Sequence, residues 1–149
     1  MSGVRTDILI TDHNDTPLAA IEVKNRQHLS PQLAAVLRRN LVVHGYVPPT
    51  PYFILLSQDV GYLWKDVQHQ VLDVLPDYEF PLDSVVARYL KSKAKRRLSG
   101  EELELVISQW LIELTLDHHE PREEPERTLA MSGFLDAIRG GSVVVEAAA

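Results

Sequence analysis

Apolar and polar positions divide the chain into short extended segments followed by helices. Thr6-Asp7-Ile8-Leu9-Ile10-Thr11 and Leu18-Ala19-Ala20-Ile21-Glu22-Val23-Lys24 are rich in β-branched residues and flank His13-Asn14-Asp15-Thr16-Pro17, so they predict a β-hairpin. Ser30 offers a helix cap and Pro31 a first helical residue; Leu33, Val36, Leu37 and Leu41 then recur at helical spacing up to Gly45. Pro48-Pro49-Thr50-Pro51 stiffen the approach to Tyr52-Phe53-Ile54-Leu55-Leu56, a continuous apolar run that predicts a strand buried on both faces. A turn at Gln58-Asp59 leads to a further short strand, Gly61-Tyr62-Leu63-Trp64.

In the second half the helical period dominates. Val85, Val86, Tyr89 and Leu90 predict a helix that runs into Lys91-Ser92-Lys93-Ala94-Lys95-Arg96-Arg97. Ser99 and Glu102 have capping-box spacing and open a long helix. One row of that helix carries Leu103, Val106, Ile107, Trp110, Leu111 and Leu114; a second carries Leu105, Ile112 and Leu116. Pro121 stops it. After a charged segment, one last short helix carries Leu129, Met131, Phe134, Leu135 and Ile138, and Gly140-Gly141 to Ala149 read as a frayed tail.

The hairpin concentrates the candidate chemistry. If His13 pairs with Thr16 across the turn, paired residue numbers sum to 29, and Asp7 stands opposite Glu22 with Cβ atoms about 4.5–5.5 Å apart. Lys24 projects from the same face, while Ile8 opposite Ile21 and Ile10 opposite Ala19 line the other. Opposed carboxylates are destabilising unless neutralised, and a divalent cation is the natural partner. Mg²⁺ binds through one or two carboxylates and completes its shell with water and phosphate. Lys24 could orient or deprotonate an attacking water and offset charge developing on the phosphate. The bland alternative is a surface ion pair of Lys24 with Asp7 or Glu22.

Thr6-Asp7-Ile8-Leu9-Ile10, then Ala20-Ile21-Glu22-Val23-Lys24-Asn25, then a helix and two strands, resemble the core of the restriction-endonuclease-like, or PD-(D/E)XK, nuclease superfamily; the likeness spans residues 5–65. The resemblance implies an α/β fold with a mixed β-sheet, a Mg²⁺ or Mn²⁺ cofactor, metal contacts at Asp7, Glu22 and Val23, and a catalytic lysine at Lys24. Several members place a glutamine on the following helix, a role that falls to Gln32, with Gln27 competing. Thr6 stands where the family has proline. The helix and strand that usually precede the Asp strand, the helix often carrying a further acidic residue, have no counterpart in the six residues before Asp7. A chain short of the full domain, a sheet completed by a partner chain, or a degenerate fold are the alternatives.

The chain has 149 residues, with 45% hydrophobic and 24% charged, values that exclude wholesale disorder. No apolar run approaches the ~20 residues of a membrane span, and the N-terminus lacks a signal-peptide layout. The absence of cysteine excludes disulfide frameworks, zinc ribbons and thiol nucleophiles. A cytoplasmic location is the expectation. The net charge of −6 is uneven: residues 1–98 carry 12 Lys/Arg against 10 Asp/Glu, and residues 99–149 carry 3 against 11. This shift suggests a nuclease-like core over 1–98 and an acidic helical extension over 99–149 serving oligomerisation. Arg38, Arg39, Lys91, Lys95 and Arg96 are candidate phosphate contacts, with Arg88, Lys93 and Arg97 in the same basic run; a solvated helix end accounts for that run equally well. His118-His119-Glu120 is a weak metal signal, and Tyr62 and Trp64 fit a core better than a stacking platform.

The expectation is therefore Mg²⁺-dependent hydrolysis of DNA, bound weakly by this acidic chain alone, with a homodimer or partner protein and no membrane. The rival is a non-catalytic binding or assembly module acting through its C-terminal helices. An antitoxin-like regulatory protein with a nucleic-acid-mimicking acidic tail is a third reading.

Overall fold

The computed structural model describes residues 6–65, 73–89, 97–116 and 121–145. The hairpin forms where the β-branched segments predict it, with β1 (Ile8–Thr11) antiparallel to β2 (Pro17–Val23). Ile8 faces Ile21, Leu9 faces Ala20 and Ile10 faces Ala19, the register in which paired numbers sum to 29. The turn differs from the expected one. Asp12, not His13, closes it: its N–H donates to Thr16 O at 2.9 Å, and its carboxylate accepts from the N–H groups of Asn14 and Thr16. An irregularity between Ile10 and Thr11 absorbs the extra residue on the turn side, leaving the opposite end of the hairpin in register.

The helix α1 (Pro31–Val43) begins as expected, with Ser30 Oγ accepting from Leu33 N–H at 3.1 Å, and the chain leaves it through Gly45 at φ +69°. It connects β2 to β3 (Tyr52–Leu56), which runs parallel to β2 and is buried at every position. β4 (Val60–Lys65) returns antiparallel to β3, and β5 (Tyr78–Pro81), a strand absent from the sequence expectation, pairs antiparallel with β4. Then follow α2 (Asp83–Tyr89), α3 (Gly100–Leu116), α4 (Glu126–Met131), α5 (Phe134–Ile138) and β6 (Ser142–Val145). The single terminal helix expected from the sequence is two short helices, parted at Ser132 and Gly133, whose φ is +87°.

β6 corrects the reading of the C-terminal segment. Residues 142–145 are not a frayed end but a strand antiparallel to β1, with Val145 opposite Ile8, so the six strands run β5-β4-β3-β2-β1-β6. The outer side of β1, for which the sequence offered no neighbour, is thereby filled from within the chain.

Strand alternation sends alternate residues to two cores. Ile8, Ile10, Ile21, Ile54 and Leu63 pack against Val85, Leu103, Ile107, Trp110, Leu129, Phe134 and Ile138 from α2, α3, α4 and α5. Ala20, Phe53, Leu55, Tyr62 and Trp64 pack on the opposite face against Ala34 of α1 and the adjoining Leu29 and Val47. The result is a mixed α/β fold of three layers. The boundary drawn at 98/99 on charge coincides with no break in packing, because α3 to α5 share one core with β1 to β5.

The capping box of α3 forms, with Ser99 N–H donating to Glu102 Oε1 at 2.9 Å and Glu102 N–H to Ser99 Oγ at 3.2 Å. Its first apolar row is buried. The second is not: Leu105, Ile112 and Leu116 are 69%, 42% and 68% exposed, because α4 and α5 fold back onto the first row. Among the described residues no helix is long and apolar enough to cross a membrane.

Candidate metal centre

The parity that places Ile21 under α3 places Glu22 on the α1 side of the sheet, at the carboxyl end of β2, where Asp7 also lies, just before β1. In sheets with parallel pairs, ligand crevices form beyond such strand ends. Asp7 stands at a bend just before β1, one residue beyond the last paired position, Ile8 opposite Ile21, and its carboxyl is close enough to hydrogen-bond that of Glu22. Its Oδ2 accepts from Val23 N–H at 2.8 Å, so the side chain takes over where the backbone ladder of β1 stops. Lys24 follows β2 directly, and its N–H donates to Leu56 O at 2.8 Å, extending the parallel ladder by one residue. Asp7 and Glu22 are thus brought together at this end of the hairpin, although Asp7 is not itself a paired strand residue, and Val23 contributes its backbone N–H to the cluster.

Glu22 is the unusual member. It is 3% exposed, and its Oε1 has no hydrogen-bond partner. Burying a carboxyl costs several kcal/mol (order of magnitude) when the group is charged and unpaired. Burial, together with the hydrogen bond and negative charge of Asp7, pushes its pKa up to about 8, against the opposing pull of Lys24. Without a counter-ion, Glu22 therefore holds a proton at neutral pH. Lys24 is half-buried, and among the described residues no ion pair joins it to a carboxylate, so the bland alternative of a surface salt bridge is not realised.

A third acidic group, unforeseen from the sequence, stands near. Glu104 of α3 has its pKa raised by burial and then by the negative charges of Asp7 and Glu101. The only sequence signal for it was an acidic residue at the margin of the apolar row, next to Leu103. Among the described residues, no three His, Asp or Glu side chains are gathered into a ready-made cation cage. The donor set nevertheless fits Mg²⁺ or Mn²⁺: two carboxyl groups, one with an orphaned buried oxygen, suit ions that retain several waters.

The remaining candidates separate. Gln32 is exposed in the first turn of α1, and among the described residues it makes no hydrogen bond to Asp7, Glu22 or Lys24; Gln27 is exposed as well. Arg38 lies in the interior at 3% exposure with its guanidinium 6.0 Å from the Trp64 ring centroid, where it cannot meet a phosphate at the surface. Burial follows from its position on the inner stripe of α1, beside Ala34 and Ala35. Arg39 is at the surface, paired with Asp73 at 3.1 Å. Lys91, Lys93, Lys95 and Arg96, like His118, His119 and Glu120, lie outside the described residues. Tyr62 and Trp64 are core residues, their polar ends bonded to Leu29 O and Val74 O. No protein-family model, curated protein or solved structure matches this chain.

Proposed function

We propose that the protein is a divalent-metal-dependent nuclease that hydrolyses DNA phosphodiester bonds. The observation that carries this reading is the buried, unpartnered Oε1 of Glu22, whose carboxyl is within hydrogen-bonding reach of Asp7 and feels the charge of Lys24, a lysine that no ion pair engages among the described residues. A protein does not gain stability from a buried carboxyl with an orphaned oxygen, and a cation between the two carboxyl groups would displace the Glu22 proton and give that oxygen a partner.

Asp7 and Glu22 would hold the ion, with the backbone at Val23 beside them. Bound Mg²⁺ or Mn²⁺ would polarise a phosphoryl oxygen and acidify its own water. The chain's residues do the rest. Val23 N–H fixes the Asp7 carboxylate, and the sheet fixes Glu22, so both keep their orientation when substrate arrives. The Lys24 ammonium is available to orient the attacking water and to offset charge on the phosphate. The likeness to PD-(D/E)XK nucleases supports the same assignment. On this reading, the strand and the acidic helix that the likeness left unaccounted for would be supplied from later in the chain, by β6 beside β1 and by α3 with Glu104, whose carboxyl feels the charge of Asp7.

The test is nicking of supercoiled plasmid with Mg²⁺ or Mn²⁺ by highly purified protein. Lys24→Ala should abolish cleavage while shifting stability by less than ~0.5 kcal/mol, as for other substitutions away from the core. Absence of metal-dependent cleavage of both single- and double-stranded DNA would overturn the reading.

One observation favours the assembly reading instead. Leu105, Ile112 and Leu116 form an exposed apolar row on α3, the kind of surface that a partner or second copy covers.

A further inference from the structure

Three stretches of chain, distant in sequence, meet at the side chain of Gln58, which is 4% exposed. Its Nε2 donates to Asn25 Oδ1 at 2.9 Å and to Leu98 O at 2.7 Å, and its Oε1 accepts from Leu98 N–H at 3.3 Å. Its backbone N–H donates to Arg26 O at 3.0 Å. Gln58 thus straps the β3–β4 turn to the loop that leaves β2 after Lys24 and to the segment that enters α3. A buried amide satisfied on both ends holds such a junction rigidly.

Arg97 is the residue that this strap sets beside the Lys24 loop. Its Nη2 donates to both Asn25 O and Asn25 Oδ1, each at 2.9 Å. Both bonds use one nitrogen. Among the described residues the rest of its five-donor fork is uncommitted, and the residue is exposed. Arg26, in the same loop, is exposed too. Among the described residues no ion pair joins Arg97 to a carboxylate; Glu102 accepts from Ser99 N–H, and Asp59 accepts from His28 N–H and pairs with its ring.

We propose that Arg97 is the phosphate-positioning cation of the site. It grips a nucleic-acid backbone phosphate adjacent to the one at the Asp7–Glu22 centre, with Gln58 and Asn25 fixing where it stands. The assignment rests on the nuclease reading above. A merely structural role does not need the charge, because Gln58 already satisfies the N–H and C=O of Leu98 and donates to Asn25 Oδ1. A guanidinium anchored through one nitrogen instead presents its other N–H groups in a fixed plane, the geometry that matches two phosphate oxygens. In a chain of net charge −6, such a fixed cation decides where a polyanion can touch.

The experiment measures binding of a short fluorescent DNA duplex by the full chain in the Lys24→Ala background with Mg²⁺, across a salt series. Arg97→Ala should lower the slope of log affinity against log salt by about 0.7–0.9, the loss of one phosphate contact. Affinity should weaken roughly two- to five-fold, the scale of an exposed ion pair. Arg97→Gln, which keeps a donor for Asn25, should lose the same slope, and Arg97→Lys should retain it. With Lys24 intact, Arg97→Ala should raise KM for DNA and leave kcat nearly unchanged. An unchanged slope in Arg97→Ala and Arg97→Gln, or no duplex binding by any of these proteins, overturns the assignment. Cleavage by the unaltered chain with an unchanged slope sinks Arg97 and leaves the nuclease reading standing. A lost slope without cleavage sinks the nuclease reading and leaves Arg97 as a phosphate contact.

Discussion

Glu22→Gln tests the electrostatics of the centre without relying on catalysis. The ordinary carboxyl value is 4.5, and burial beside Asp7 raises the folded-state value to about 8. Between those two values the folded protein keeps a proton that the unfolded chain has released. Unfolding therefore releases a proton, and the stability of the metal-free protein falls as pH rises through this window, by at most about 1.4 kcal/mol per pH unit. Summed across the window, the loss is roughly 3–5 kcal/mol. This is opposite in sign to the usual salt-bridged carboxylate. Glutamine fills nearly the same volume and titrates in neither state, so the variant should gain on the original protein by that amount between acid and mildly alkaline pH. Urea unfolding of both proteins in chelator, from about pH 5 to pH 9, measures the difference directly. Mg²⁺ should then raise the melting temperature of the original protein, more at high pH than at low pH because the proton must leave, and should leave Glu22→Gln unmoved. A stability difference that stays flat, or that moves in favour of the original protein as pH rises, would refute both the buried protonated carboxyl and the cation argument built on it.

Further outcomes follow from the packing. Glu126 accepts two bonds from Arg88 and one from Trp110 Nε1; burial works against its charge, but these bonds outweigh it and hold its pKa below 4.5. Glu126→Gln should cost about 1–2 kcal/mol near neutral pH, and the difference should vanish as pH falls through the lowered pKa. A methyl group at Gly61 would overlap the Phe80 ring and stand 2.8 Å from Leu56 Cδ2, so Gly61→Ala should destabilise by roughly 1–3 kcal/mol in chemical denaturation. If the exposed row on α3 joins two copies, light scattering should give twice 16.8 kDa, and Leu105→Lys with Leu116→Lys should return the mass to 16.8 kDa without loss of helix content.

Much of the centre was legible in the sequence because a hairpin is a local object. Strand alternation and a short polar turn suffice to bring the segment just before β1 to the Glu22 end of β2, and the turn's extra residue was absorbed at the other end of the hairpin. Helix starts were legible for the same reason: Ser30 and the Ser99–Glu102 pair act on N–H groups within three residues of themselves. The tertiary structure decided the features whose partners lie far along the chain. Val143-Val144-Val145 has the composition of a strand, but only the free edge of β1, at the other end of the chain, distinguishes it from a loose end. Arg38 and Arg39 are the same letter side by side. The rotation of α1 over Trp64 buries one and leaves the other to Asp73 at the surface. Glu104 and Arg97 reach the neighbourhood of Asp7 and Lys24 only because α3 packs over the sheet and Gln58 ties its entrance down. Local chemistry depends on spacing along the chain, which a sequence displays; burial and long-range proximity depend on which surfaces pack together, which the folded chain alone determines.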